Sequence, residues 1–308
     1  MTARRPIAFV AVIAATMAAP APAQNDSGPE SARPIAIWRF EGQDPGARQA
    51  AGNEAGPRPP IYPGFAATNR AQRFAGTGLT FAEKDLGGAN LRFGAGDAIT
   101  IEAWVKVEEL KSGSYSYLVG KGRTRATGFP EKNQNYALRL FGKGSEARLS
   151  FLFASAAEKG KDSEWHRWTS GSGFAWGDGW HHVAVTYVFG RPNSILGLVD
   201  GRAAKGTWDM GGATTRAPVS DGDAVQLGTG NGGGAGNVFR GLLDDVSITR
   251  AAVGEEALGG KYQYVPPPPA VVAADLPSGR VLVQLFENGF PDRNAWPAPT
   301  PPSETIHE

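Results

Sequence analysis

The chain has no cysteine, and only four histidines and three methionines, among its 308 residues. The missing cysteines exclude disulfides, thiolate metal sites and a cysteine nucleophile together. An excess of charge of either sign is missing too. Lys and Arg number 31 against 30 Asp and Glu, a net charge of +1. That removes the electrostatic case for nucleic acid or an anionic membrane surface as a partner. Beyond the first residues no apolar run approaches the roughly 20 residues of a spanning helix, so no membrane insertion is expected. What is abundant is punctuation: Gly 42 and Pro 23 predict many turns between short strands rather than long helices. At this length one full-sized core can form without covalent staples.

Arg4 and Arg5, the apolar run Ile7–Met17 and the small residues ending in Ala21-Pro22-Ala23 read as a cleavable secretory signal over residues 1–23. Pro6 argues against a twin-arginine route. The expected location is therefore secreted or periplasmic. Residues 24–33 are polar and carry Pro and Gly, a linker. A series of short runs rich in β-branched and aromatic residues follows: 35–40, 98–107, 117–119, 136–141, 149–153, 181–189, 195–199, 224–227 and 242–248. In the second of these Ile99, Ile101, Ala103, Val105 and Val107 alternate with Thr100, Glu102, Trp104 and Lys106, a period no helix has. Val183, Val185 and Tyr187 alternate with His182, Ala184 and Thr186 in the same way. Such patterning predicts an all-β fold of two antiparallel sheets packed face to face. One short helical stretch, Val253–Leu258, precedes a Pro-rich linker over 259–275 that contains Pro266 to Pro269. Residues 276–308 form a tail or the start of a further domain, which would make this chain the front part of a larger exported protein.

The order of blocks resembles a known family. ITIEAWVKV (99–107), LVGKG (118–122), NYALRLF (135–141), GWHHVAVTY (179–187), LVDGRAA (198–204), VQLGTGNGG (225–233) and FRGLLDDVSITRAAVGEEAL (239–258) are similar to successive segments of LamG-like jelly-roll domains, and IAIWRFEG (35–42) resembles their opening strand. The resemblance covers residues 34–258 and implies a concanavalin A-like jelly-roll β-sandwich with its first and last strands close together. It implies little about ligand, because the family holds sugar binders, protein binders and spacers, and fold alone does not give function.

The same sandwich is shared with laminarinase-type glucanases, which carry a Glu-x-Asp-x-(x)-Glu strand whose carboxylates stand about 5–5.5 Å apart in a retaining mechanism. No such segment occurs: Glu83-Lys84-Asp85 runs into Leu86-Gly87-Gly88, and Glu108-Glu109 are adjacent and point to opposite faces of a strand. A nucleophile elbow G-x-S-x-G is missing as well. His181 and His182 are adjacent and so diverge, and no ligand spacing joins them to His166 or His307. The run Gly228–Gly236 lacks the Lys-Ser/Thr of a phosphate loop and reads as a long flexible turn.

Asp244 shares the alternation phase of Val246 and Ile248, which predicts a carboxylate beside the core. Related sandwiches imply a structural calcium there, held with Glu41 and backbone oxygens near Phe40. The alternative is an Asp hydrogen-bonded to backbone amides or an arginine. Trp38, Trp104 and Trp180 fall in the family blocks, with Trp104 in the non-core phase where it could face a groove. Trp165, Trp168, Phe174 and Trp176 lie in a polar, Gly-rich segment, 154–179, read as a loop. Loop tryptophans with donors such as His166 and Arg167 beside them suit stacking on sugar rings. Lys121, Arg123 and Arg125 read as solvated surface, with contact to an anionic polymer as the other option. The leading expectation is thus a non-catalytic module binding a glycan or an extracellular protein. The rival is a polysaccharide hydrolase or lyase with a diverged site on the concave face.

Overall fold

The computed structural model describes residues 33–42, 53–177, 179–233 and 237–267, and the backbone of 272–275 and 281–284. The expected signal and most of the tail lie outside the described residues. In chain order the strands are β1 (Ala36–Trp38), β2 (Glu54–Ala55), β3 (Arg70–Ala75), β4 (Leu79–Phe81), β5 (Ala98–Glu109) and β6 (Tyr115–Lys121). Next come β7 (Tyr136–Lys143), β8 (Glu146–Ala154), β9 (Trp165–Ala175), β10 (His181–Val188), β11 (Arg191–Val199) and β12 (Arg202–Ala204). The last are β13 (Gly206–Met210), β14 (Val225–Leu227), β15 (Arg240–Thr249), β16 (Val272–Asp275) and β17 (Val281–Gln284), and the one α-helix described is α1 (Glu255–Gly259).

Two antiparallel sheets form the sandwich. One runs β12-β11-β10-β5-β15-β3-β2, with β1 also on β15, and the other runs β13-β9-β8-β7-β6-β14-β4. Ala36, Ile37 and Trp38 pair with Ile248, Ser247 and Val246, so the opening strand lies against the closing one. Strands β16 and β17 pair with each other, and among the described residues with no other strand. The alternation read in β5 and β10 puts Ile99, Ile101, Ala103, Val105, Val107, Val183, Val185 and Tyr187 into the core between the sheets, together with Tyr136, Leu138 and Leu140 of β7 and Leu149, Phe151 and Phe153 of β8.

The outer face of the eight-stranded sheet is covered as well. Trp104, at 3% exposure, packs with Tyr62, Trp180 and Leu242. Tyr62 and Phe65 stand edge-on to its ring, and Tyr262 stacks on it at 5.7 Å. The groove expected at Trp104 is thus filled by the chain's own segments before β3 and after α1. Residues 259–265, read from the sequence as the beginning of a linker, pack on the sandwich. Lys261 Nζ reaches Glu102 Oε1 at 2.6 Å, and the Val265 amide donates to the Ile61 carbonyl. Tyr262→Ala is expected to destabilise the domain by about 1–3 kcal/mol through lost stacking and burial, which a thermal melt of the full chain reads. No drop in melting temperature would show that the segment only rests on the sheet.

Two further expectations are corrected. Residues 154–179 are not a loop: most of the second half is β9, paired to β8 from Ala154↔Trp165 to Glu146↔Ala175. The segment's glycines and polar residues disguise it, because its outward positions face solvent. Asp244 does not share the phase of Val246 and Ile248. A bulge in β15, with Asp245 at φ +43°, places Asp245 and Val246 against the single Ala103 of β5, so Asp244 pairs with Trp104 while Ser247 pairs with Glu102. One inserted residue exchanges the faces. Leu243, Val246 and Ile248 therefore enter the core, and Asp244 sits on the outer face beside Trp104.

Candidate functional site

The outer face of the seven-stranded sheet is built by the same alternation. Ala137 of β7 and Leu152 of β8 join Tyr117 of β6 in a small cluster there, with Trp165 and Met210 packed against it. Since adjacent strand residues point to opposite faces, Trp165 and Arg167 come out onto this face while His166 and Trp168 turn inward. His166 is 2% exposed, stacks on Phe153 and shares Nδ1 with the Gly212 carbonyl at 3.0 Å. Trp168 is buried in the core. Trp176 packs partly buried against that core rather than on the outer face. Of the residues expected to form one sugar platform, the structure brings together Trp165 and Arg167. It separates from them His166, Trp168 and Trp176, and Trp104 lies on the other sheet.

Trp165 and Arg167 belong to a longer row that within-strand patterning did not disclose. The Arg123 guanidinium lies over the Trp165 ring at 4.7 Å and donates to the Tyr117 hydroxyl at 3.1 Å. Arg139 lies over Tyr117 at 5.4 Å and over Tyr115 at 4.4 Å. Arg167 lies over Tyr115 at 4.6 Å. The order is Trp165, Arg123, Tyr117, Arg139, Tyr115, Arg167, an alternation of rings and guanidinium groups. Arg123, read as solvated surface, is part of it. Lys121, read the same way, is fully buried, and its ammonium donates to the carbonyls of Asp221 and Asp223. Arg125 is exposed and donates to Asn231 Oδ1. The Gly-rich run is not a free turn where it is described. Gly230 is buried on Tyr117, where a Cβ would come within 2.5 Å of the ring.

Two depressions flank the row. One of about 380 Å³ is lined by Phe141, Lys143, Arg148, Thr169 and Asp209, among others, and one of about 240 Å³ by Arg123, Arg125, Phe129 and Asn133, among others. Two of the carboxylates of this region are engaged, and a third, Glu131, lines the smaller depression beside Arg123 and Arg125. Asp209 Oδ1 accepts from Arg167 at 2.7 Å, and Glu146 accepts from Arg148 and from the Gly173 amide, both at 2.7 Å. Burial would raise the Glu146 carboxyl, but these bonds outweigh it and hold it below the usual range. A glycosidase acid needs the opposite shift.

The histidine pair diverges as expected. His181 Nδ1 meets Asp200 Oδ2 at 2.7 Å, and His182 Nε2 meets Glu102 Oε2 at 3.3 Å. Burial alone would raise Glu102, yet His182 and Lys261 bring it down to about 2. Asp244 is 1% exposed, accepts from Asn69 Nδ2 at 2.6 Å and from the Asp245 amide at 2.8 Å. Glu41 accepts from the Arg70 amide at 3.0 Å. Burial pushes the Asp244 carboxyl up to about 8, with Asp245 and Glu41 adding to the rise. Calcium asks for six or more oxygens. Here Asn69 turns its NH2, not its oxygen, to Asp244, and among the described residues no three acidic or histidine side chains converge as metal ligands.

No helix among the described residues is long and apolar enough to cross a membrane. No curated protein sequence matches the chain. Among solved structures it is similar to domain 4 of AbnA, a GH43 extracellular arabinanase from Geobacillus stearothermophilus in complex with arabinotriose (15% identity, 75% of this chain and 99% of that one, TM-score 0.47). It is also similar to the Ruminococcus gnavus IT-sialidase CBM40 bound to alpha2,3 sialyllactose (14%, 63% and 96%, 0.41) and to a SAP-like pentraxin from Limulus polyphemus (14%, 67% and 78%, 0.36). A Laminin_G_3 family model, described as concanavalin A-like lectin/glucanases superfamily, matches residues 81–258, from the last residue of β4 through β15 into α1. With more than half of the chain matched and the two-sheet sandwich in place, this protein belongs to the concanavalin A-like lectin/glucanases superfamily.

Proposed function

We propose that the chain is a non-catalytic extracytoplasmic module that binds a glycan on the outer face of its seven-stranded sheet. The observation that carries this reading is the row of rings and guanidinium groups between two depressions. A partly exposed indole gives a sugar ring an apolar face, and the guanidinium groups donate to hydroxyls around it. Two features support the absence of catalysis. Asp209 and Glu146 near the row are tied to arginines, which leaves Glu131 without a second free carboxylate to act with it, and the raised carboxyls of Asp244 and Asp245 are on β15 of the other sheet. Export of the mature chain rests on the signal-like residues 1–23.

Trp165→Ala is expected to weaken binding to the polysaccharide retained by the wild type about tenfold or more, with thermal stability nearly unchanged because the side chain is only partly buried. Affinity electrophoresis in gels carrying individual polysaccharides measures the first, and a melt the second. Reducing-end release should stay at background. Release that vanishes on Asp209→Asn or Glu146→Gln would make the protein an enzyme, and unchanged retention of Trp165→Ala would remove the indole from the site.

A further inference from the structure

The chain as a whole is balanced in charge, but the row is not. Arg167 has Asp209 and Arg148 has Glu146 as ion partners. For Arg139 there is none: among the described residues no carboxylate lies within ion-pair distance of it. Arg139 is 5% exposed, its side chain in cation–π contact with Tyr115 and Tyr117, and its hydrogen-bonding partners are neutral: Nη2 donates to Ser150 Oγ at 2.9 Å, and the Tyr117 hydroxyl meets the group as well. Its Nε–H is buried without an acceptor, as is that of Arg123, two guanidinium groups along the row. Among the described residues Arg125 donates to the neutral Asn231 oxygen and has no ion partner.

A buried charge is costly unless it is paired. Ring faces compensate a guanidinium only in part. The two chemistries that complete a guanidinium well are carboxylate and its phosphate- or sulfate-like relatives, which accept its donors in parallel. A neutral sugar hydroxyl does this poorly.

On the reading that this face binds a glycan, we infer that its ligand is an acidic glycan, whose anionic groups are received along the row with Arg139 at the centre and Arg123 and Arg167 on either side. The rings between the arginines keep the spacing and exclude water, so each anionic group meets a guanidinium in a partly dry setting where the pairing is strong. Two sugar substituents share this chemistry, a uronic or sialic carboxylate and a sulfate ester.

The test uses the full mature chain and matched polymer pairs. Polygalacturonate is compared with its carboxyl-reduced form, and dextran sulfate with dextran, by affinity electrophoresis and by calorimetry with oligomers at low and high salt. The expected result is that at least one acidic member is retained at least tenfold more strongly than its neutral partner, that the retained pair names the substituent, and that added salt weakens it. Arg139→Met is expected to reduce that affinity about 10–100-fold. Because Arg139 is buried, Arg167→Gln and Arg123→Gln provide partly exposed second variants, each expected to weaken the acidic polymer and leave the melting temperature close to wild type. Equal retention of acidic and neutral members, or acidic retention that none of the folded arginine variants alters, overturns the inference while leaving the glycan-binding reading in place. Retention of none of a broad polysaccharide panel overturns both.

Discussion

Replacing Trp168 by alanine is expected to lower the stability of the domain by about 3–5 kcal/mol, a loss that urea denaturation reads directly. Its indole is 3% exposed and lies between the sheets, with Phe151 and Trp208 as its register neighbours on β8 and β13. It also reaches across the sandwich. Gly197 of β11, in the opposite sheet, stands so close that a Cβ there would come within 2.6 Å of the ring. Truncation therefore leaves a cavity at a contact between the two sheets, where strand backbones on both sides limit collapse. Gly197→Ala disturbs the same contact in the opposite sense, by overpacking, and is expected to cost about 1–3 kcal/mol. In the double variant the new methyl group occupies part of the space that the indole vacates. Its loss should thus be smaller than the sum of the two, a coupling that a double-mutant cycle measures. A Trp168→Ala loss below about 1 kcal/mol, or strict additivity with Gly197→Ala, would show that the ring does not bridge the sheets. The contrast with Trp165, three residues earlier and facing outward, is the sharpest mutational statement of which face binds: one indole should carry stability and the other affinity.

That contrast also marks what the sequence could and could not disclose. Alternation within a strand was legible wherever the inward residues were aliphatic, as in β5, β7 and β10, and the family blocks ordered those strands correctly. In β9 the inward residues near the start are a histidine and a tryptophan, and the later part is broken by Gly171 and Gly173, so the period was hidden. Asp244 failed for a different reason. Its phase is correct only for an unbroken strand, and the bulge at Asp245 is a backbone event with little local signature. The covering of Trp104 depends on Phe65 and Tyr262, which are distant in sequence and meet only after folding. The arginine row has the same origin. Tyr117 and Arg139 are direct cross-strand partners, and Arg139 pairs onward with Ser150, while Trp165 and Arg167 arrive from β9. All but Arg123 are visible as outward positions in their own strands, but their adjacency is set by register between strands, which is non-local, and Arg123 comes from the segment that follows β6.

Stability should pass through a maximum near pH 4–5 rather than at neutrality, because two buried carboxyls on the outer face of the eight-stranded sheet act in opposite directions. Asp244 is raised from an ordinary 3.8 to about 8, so between those values the folded state holds a proton that the unfolded state has released. Stability then falls as pH rises through this window, by roughly 3–6 kcal/mol in total. Glu102 is lowered from 4.5 to about 2, so its contribution is present above the unfolded value and is lost as pH falls towards the folded one. Asp244→Asn removes the first effect. The amide keeps an acceptor for the Asp245 amide and carries no charge, so the falling limb between about pH 4 and pH 8 should become much shallower, with the raised Asp245 carboxyl carrying what remains, at a fixed cost of roughly 1 kcal/mol. Denaturation midpoints measured at intervals from pH 3 to pH 9 decide this, in chelator and again with added calcium. A cation held by Asp244 and Glu41 would keep the Asp244 carboxylate ionised, and stability in calcium would then rise with pH over the same window where it falls in chelator. Identical falling limbs in the two conditions would assign Asp244 to its hydrogen bonds with Asn69 and Asp245 alone. A flat wild-type profile in chelator would show that the carboxyl is not buried as a neutral acid.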